Sequence, residues 1–299
     1  MPHHVLTLLD IPADQLPALI ARGREMKAER TVSTVLANKT LALIFEKSST
    51  RTRVSFEVAV NELGGKALFM TPSESQLGRS EPLKDTARCL SRYVHGMIVR
   101  TFAQSNLNEL SRYARIPVIN ALSDSFHPCQ VLSDLLTISE RTPDFSSLTI
   151  AWIGDGNNMA QSWINAARLL PFQLFMATPR GYDPAEDILQ RARNEGASIE
   201  VCNDPADAVR EADYINTDAW FSMGQEDEEG QRTRAFAGYQ INERLLDQAP
   251  AKARIMHCLP AHRGQEITEE ILESERSLVW DQAENRLHMQ KALLEWVYI

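Results

Sequence analysis

Phe45-Glu46-Lys47-Ser48-Ser49-Thr50-Arg51-Thr52-Arg53-Val54-Ser55-Phe56-Glu57 is the stretch on which the fold turns. Before it, Leu41 to Phe45 is an apolar run of the kind that forms a short buried strand. After it, Val54, Val58 and Leu63 recur at about the 3.6-residue helical period, until Gly64-Gly65 ends the pattern. Ser48, Ser49 and Thr50 are all able to cap, so Ser-Thr-Arg-Thr-Arg falls on the first turn of a helix. The free backbone N–H groups and the dipole of that turn favour an anion. Two hydroxyls and two guanidiniums beside them suit a dianionic phosphate, because arginine offers a planar fork of donors. A capped helix with solvated arginines is the plainer alternative. It suits one isolated Ser-Thr-x-Arg better than five such residues in a row behind a strand.

Outward from this stretch, strand and helix patterns alternate. Residues 5 to 30 read as two helices, the second with Leu16, Leu19 and Ile20 on its apolar side. Strands are expected at 41–45, 66–70, 96–100 and 118–119, with helices near 50–63, 83–93 and 106–114 and a polar loop at 71–81. His127-Pro128 opens a helix to about Glu140, with proline suited to its first turn. That helix reads as a bridge, and 141–147 as a boundary loop. A second series follows, with strands at 148–153, 173–177, 199–201, 214–217, 254–258 and 278–280. Helices are expected near 159–170, 184–195 and 283–296, and a long polar loop after 217. The fold class is α/β, with two doubly wound parallel-sheet, Rossmann-like domains, 1–140 and 141–299, linked by interdomain helices. Ligands in such sheets bind at the carboxyl ends of the strands.

The chain has 299 residues, 43% hydrophobic and 24% charged, as a globular protein with ample core does. Lys plus Arg is 31 against 40 for Asp plus Glu, a net charge of −9 that suits neither nucleic acid nor an anionic membrane. The arginines near Arg51 are then a local positive site for a small anion. Cys89, Cys129, Cys202 and Cys258 form no C-x-x-C pair, which argues against a zinc site and a disulfide framework and fits a reduced cytoplasm. Met1 to Asp10 lacks the features of a signal peptide, and no run approaches the roughly 18 apolar residues of a membrane span.

Further candidates fall at strand ends or helix starts. Gly154-Asp155-Gly156-Asn157-Asn158-Met159 follows a strand, but Met159 stands where a dinucleotide fingerprint needs its third glycine. The carboxamides of Asn157 and Asn158 suit either a zwitterionic ligand or a capped turn. Asp218 ends another strand and can take an α-ammonium, with Ser222 and Gly224 on a loop able to close over it. Arg100 ends a third strand. His127 stands before a helix start, able to hydrogen-bond a ligand oxygen. Cys258 follows a strand, where a cysteine is usually a small buried hydrophobe. Arg286 lies on the first turns of the last helix.

With these residues in order, the sequence resembles the carbamoyltransferase family, and its ornithine-using members in particular, essentially end to end. Ser49-Thr50-Arg51-Thr52-Arg53 resembles the family's carbamoyl phosphate motif, and His127-Pro128-Cys129-Gln130 its second signature. Asp218 with Ser222-Met223-Gly224 is similar to the ornithine-binding aspartate and loop. His257-Cys258-Leu259-Pro260 and Glu284-Asn285-Arg286 match two further motifs. The chain is short for the family, mainly in loops of the second domain.

The resemblance implies transfer of a carbamoyl group from carbamoyl phosphate to the δ-amine of L-ornithine, giving citrulline and phosphate, a step of arginine biosynthesis. It implies no cofactor, no metal and no covalent enzyme intermediate. It assigns Ser49, Thr50, Arg51 and Thr52 to phosphate and carbonyl contacts, with Arg100 as a second phosphate cation. His127 donates to the carbonyl oxygen, and the Pro128-Cys129-Gln130 turn, the Cys258–Leu259 backbone and Arg286 meet the carbamoyl group. Asn158, Asp218, Ser222 and Met223 take the α-amino and α-carboxylate groups, and Cys258 sits near the δ-amine. It also implies a cytoplasmic homotrimer with shared sites, Gln76 being lent to a neighbour. The two domains close on the amino acid, and the last helix, about 283–299, packs back on the first domain. The rivals are a sister enzyme for aspartate, putrescine or an N-acylated ornithine, a nicotinamide oxidoreductase, and a silent binding protein of the same descent.

Overall fold

The computed structural model describes residues 2–71, 81–221 and 228–299. It contains two compact units: residues 1–136 with 284–299, and residues 137–283.

The first unit opens on a 3₁₀ turn (Leu8–Asp10), closed by a capping box in which Thr7 and Asp10 satisfy each other's backbone amides. Only the second of the two expected N-terminal helices is a full α-helix, α1 (Leu16–Ala28), with Leu16, Leu19 and Ile20 buried. Then come β1 (Thr40–Phe45), α2 (Thr50–Glu62), β2 (Lys66–Met70), α3 (Leu83–Leu90), β3 (Gly96–Arg100), α4 (Gln104–Tyr113), β4 (Val118–Leu122) and α5 (Pro128–Ser139), which runs across the unit boundary. The parallel sheet has the order β2-β1-β3-β4. Leu41 to Phe45 are buried because β1 is central and covered on both faces, as parallel sheets require. The face that α2 buries is only partly the expected one, Leu63 lying inside as expected. Phe56, Ala59, Val60 and Leu63 go inward, whereas Val54 is 52% exposed. Aromatic bulk and the buried Thr52 set the rotation of the helix, and Val54 lies on the opposite side of it.

The second unit holds β5 (Thr149–Ile153), α6 (Asn158–Leu169), β6 (Gln173–Ala177), α7 (Glu186–Asn194), β7 (Ile199–Cys202), α8 (Pro205–Val209), β8 (Tyr214–Thr217), α9 (Glu229–Phe236), α10 (Glu243–Leu246), β9 (Arg254–His257), α11 (Glu269–Leu272) and the start of α12 (Val279–Tyr298). Its parallel sheet has the order β7-β6-β5-β8-β9 over a core that includes Ile153, Ile215, Trp220, Phe236 and Ile255. The expected polar loop after 217 contains α9 and α10, whose buried Phe236, Leu245 and Leu246 punctuate charged sequence. Of residues 278–280, expected as a strand, Val279 and Trp280 begin α12 instead, while Leu278 N donates to the Ile255 carbonyl at 2.8 Å. The sheet is met by a single bridge, Ile255 to Ser277, and the Leu278 carbonyl then accepts from Gln282 N at 2.8 Å. Asp281 in the first turn favours the helix through its dipole. From Glu284 onward α12 belongs to the first unit, where Lys291 is fully buried against Glu62 (2.6 Å) and the Thr31 carbonyl. Among the described residues no helix is long and apolar enough to cross a membrane.

Candidate active site

In the first sheet the strand order reverses between β1 and β3, so the chain leaves their ends in opposite directions and opens a crevice there. Ser49 caps α2 from an extended backbone, accepting from Thr52 N at 3.3 Å, while its hydroxyl donates to Thr52 Oγ1 at 3.0 Å. Thr52 is fully buried, and its Oγ1 also accepts from Arg286 Nη2 (2.6 Å) and Arg100 Nη1 (3.4 Å). Arg286 Nη1 donates to Gln130 Oε1 at 2.7 Å, and Gln130 Nε2 donates to Asp134 Oδ1 at 2.8 Å. One hydroxyl thus ties β3, α5 and α12 to the first turn of α2. His127, just before α5, is buried, and burial followed by the fields of Arg286 and Arg100 holds its imidazole well below the usual histidine range. The imidazole is therefore neutral at pH 7, with one N–H to donate.

Arg51 is half-buried and Thr50 exposed on the same first turn. Pro128 is the first residue of α5, and the Cys129 thiol turns toward the sheet, donating to the Asn120 carbonyl at 3.3 Å; burial pushes its pKa up to about 12. Arg53, expected as the second guanidinium of the anion site, is turned away. It pairs with Glu57 at 3.3 Å and lies 3.8 Å from the centre of the Phe69 ring. The spacing explains this, since residues 51 and 53 lie about 200° apart around a helix. Arg100 and Arg286, from remote sequence, bring two further guanidiniums to Thr52. Gln76, Ser222 and Met223 lie outside the described residues.

In the second sheet the reversal is between β5 and β8. Asn157 caps α6, its Oδ1 accepting from Met159 N (2.9 Å) and Ala160 N (3.2 Å), and its Nδ2 donates to Asp218 Oδ2 at 3.1 Å. One carboxamide thus caps the turn, the plainer of the two readings the sequence left open, and also holds Asp218. Asp218, just past β8, also accepts from Ala219 N (2.8 Å) and the Cys258 thiol (2.9 Å). Asn158 is half-buried on the first turn of α6. Leu259 stands at φ +58°, an uncommon conformation for a branched residue. Its N–H donates to His257 Nδ1 at 2.9 Å, so the proton of neutral His257 is on Nε2, donating to the fully buried Glu266 at 3.0 Å.

Sequence reasoning missed Asp134, Glu266 and the ion pair of Arg232 with Asp155. Arg232, 4% exposed, also donates to the Trp220 carbonyl at 2.7 Å and lies over Tyr182 and Phe236. A charged residue at a helical apolar position, as Arg232 is four before Phe236, was the available signal.

Asp218, His257 and Cys258 offer ligand atoms within 4.8 Å of one another. Both ring nitrogens of His257 and the Cys258 thiol are, however, engaged in protein hydrogen bonds: His257 with Leu259 N and Glu266, and Cys258 with Asp218. The dinucleotide alternative fails on geometry. A Cβ on Gly156 would lie 2.3 Å from Asp183 C and Pro184 N, so this glycine admits a neighbouring loop where a dinucleotide site would admit a pyrophosphate.

Two switch-point crevices, one lined by buried cations and one by a carboxylate, define a doubly wound α/β protein for small anionic and amine-bearing ligands. Residues 3–140 match the family described as aspartate/ornithine carbamoyltransferase, carbamoyl-P binding domain, and residues 146–297 match its Asp/Orn binding domain. The chain belongs to the aspartate/ornithine carbamoyltransferase family. It is 58% identical over 297 residues to the ornithine carbamoyltransferase of Oleidesulfovibrio alaskensis, covering 99% of each chain. With that of Nitratidesulfovibrio vulgaris it shares 56% over 298 residues, 100% of this chain and 99% of the relative. Among solved structures, the anabolic ornithine carbamoyltransferase of Campylobacter jejuni superposes with a TM-score of 0.94 at 41% identity, covering 99% of both chains. That of Pyrococcus furiosus gives 0.93 at 44%, covering 98% of this chain and 96% of its own.

Proposed function

We propose that this protein transfers the carbamoyl group of carbamoyl phosphate to the δ-amine of L-ornithine, releasing L-citrulline and phosphate. The observation that carries the ornithine assignment is Asp218, a carboxylate held by Asn157 and Cys258 at the switch point of the second sheet. It presents one negative charge to an α-ammonium, which an N-acylated ornithine lacks; putrescine keeps an ammonium there and lacks the α-carboxylate.

The reaction is an acyl transfer in which an uncharged amine attacks a carbonyl carbon and phosphate departs. Charge grows on the carbonyl oxygen and on the leaving group, so preorganised donors aimed at both carry the catalysis. Ser49, Thr50, Arg51 and Thr52 meet the phosphate through the helix start, and Arg100 adds a cation. Neutral His127 donates to the carbonyl oxygen. A neutral donor is the fitting form there, because an imidazolium between two guanidiniums would be expelled. Gln130, Arg286 and the Cys258–Leu259 backbone receive the carbamoyl amide. Asn158, Asp218, Ser222 and Met223 take the amino-acid end, and Cys258 lies by the δ-amine. Holding both reactants replaces a bimolecular encounter by an oriented one, which can contribute about 7–11 kcal/mol to the barrier reduction. A cytoplasmic homotrimer in which Gln76 serves a neighbouring site belongs to the same reading.

The test is product formation from carbamoyl phosphate with L-ornithine, L-aspartate, putrescine and N-acetyl-L-ornithine. Turnover confined to ornithine is expected. Preference for another amine would leave the donor site standing and overturn the ornithine assignment, and preference for N-acetyl-L-ornithine would overturn the role of Asp218 in particular.

A further inference from the structure

Asp134 is fully buried on α5, one turn after Gln130, with its Oδ1 at 2.8 Å from Gln130 Nε2. A glutamine amide is nearly symmetric in shape, so its direction is set by its neighbours. Here both neighbours vote the same way. Arg286 donates and never accepts, so the atom facing it at 2.7 Å is Gln130 Oε1. The Nε2 end then lies in the interior and needs an acceptor, which the Asp134 carboxylate supplies. Gln130 itself is fully buried, so water does not compete for either end.

The geometry points to Asp134 as a specificity-determining positioning residue: by holding the Gln130 amide nitrogen, it keeps the Gln130 oxygen turned toward the ligand and so selects a carbamoyl donor. The inference rests on the proposed role of Gln130 at the carbamoyl amide. An amide oxygen carries two lone pairs, and Arg286 occupies one. The second is the one that the proposed role of Gln130 assigns to an N–H of the carbamoyl group. A ligand with a methyl group in place of that NH₂ would gain nothing there and would desolvate the oxygen unpaired. Without an acceptor at position 134, Gln130 Nε2 is left without its carboxylate partner in the interior, and the side chain, held only at its oxygen end by Arg286, can rotate away from the position that meets the ligand's NH₂. Asp134 touches no ligand in this account, and its effect is confined to the difference between donors that do and do not carry the amide.

The experiment measures dissociation constants of carbamoyl phosphate, acetyl phosphate and inorganic phosphate on the full chain, by calorimetry, for wild type, Asp134→Asn and Asp134→Leu. Wild type is expected to prefer carbamoyl over acetyl phosphate. Asp134→Asn retains an acceptor oxygen at the same place and should keep that ratio within about threefold. Asp134→Leu removes the acceptor and should lower the ratio about tenfold, the size of one hydrogen bond, with inorganic phosphate bound as before. If Leu at 134 prevents folding, Asp134→Ser, whose short hydroxyl falls away from Gln130, carries the same expectation. Equal losses for all three anions would mean general damage and overturn the inference, as would Asn behaving like Leu. Wild type without any preference for carbamoyl phosphate would refute the donor-site reading itself, a result distinct from failure of the variants alone.

Discussion

Thr52 Oγ1 is the atom on which Ser49, Arg100 and Arg286 converge. Thr52→Val preserves its shape and removes the acceptor, leaving two buried guanidiniums facing a methyl group. Carbamoyl phosphate affinity is expected to fall about 30-fold, or 2 kcal/mol, measured by calorimetry; unchanged affinity would show that the arginines hold their places without it. His127 gives a second residue-scale expectation, in pH. Its imidazole is held neutral in the native state, while the unfolded chain protonates near an ordinary value of about 6.5. Below that pH the unfolded state binds a proton that the native state refuses, so stability is lost as pH falls and is fully present above it. The wild type should lose up to about 1.4 kcal/mol per pH unit more than His127→Gln between pH 6 and 5, read from urea melts. Coincident slopes would mean that His127 titrates normally.

At the scale of elements, the turn between β5 and α6 illustrates how much was legible in advance. The Gly-x-Gly-Asn pattern marks a strand-to-helix turn, and turn chemistry is local, so this much is readable. What the glycine is for is not local. Gly156 makes room for the backbone of residues 183 and 184, a contact visible only once the chain has folded. Gly156→Ala should therefore cost about 3 kcal/mol, seen as a lower urea midpoint, where an ordinary turn glycine would cost well under 1. The same turn carries Asp155, whose carboxyl is pushed up by burial and by Asp218 while Arg232 opposes the rise. Arg232 thus keeps charge in check beside the carboxylate proposed for the ammonium, and ties the segments at 155 and 220 together. Arg232→Gln is expected to raise the ornithine KM about tenfold with carbamoyl phosphate binding unchanged. A parallel loss of both would assign the pair to general stability. The helical position of Arg232 can mark it as buried, but its partner, 77 residues away in sequence, is visible only in the folded chain.

On the scale of the molecule, both parallel sheets and the strand-end location of most candidate residues follow from alternation and composition, signals that survive without tertiary knowledge. Errors cluster where a short apolar run has two readings. Residues 278–280 suit either a buried strand or a helix start, and the sheet has room only for the Ser277 bridge. Arg53 failed for a different reason, since contiguity in sequence is not contiguity around a helix. The buried Lys291 pair with Glu62 shows how firmly the end of α12 is fastened to the first unit. Lys291→Met should lower stability by about 2 kcal/mol, less than a fully buried pair because Glu62 is partly exposed, and the loss should appear in the thermal transition of the first unit.

That fastening has a consequence for how the protein is made. The second unit is contained in one uninterrupted span, 137–283, whereas the first needs residues 284–299 to be whole. During synthesis the first unit emerges earliest and is completed last. Its anion crevice lacks Arg286 until almost the entire polypeptide has left the ribosome, while the second unit has all its parts sooner. A nascent chain stalled before residue 284 would carry a finished amine-binding half beside a donor-binding half with an unfilled core, and would expose the apolar seat of the last helix to chaperones.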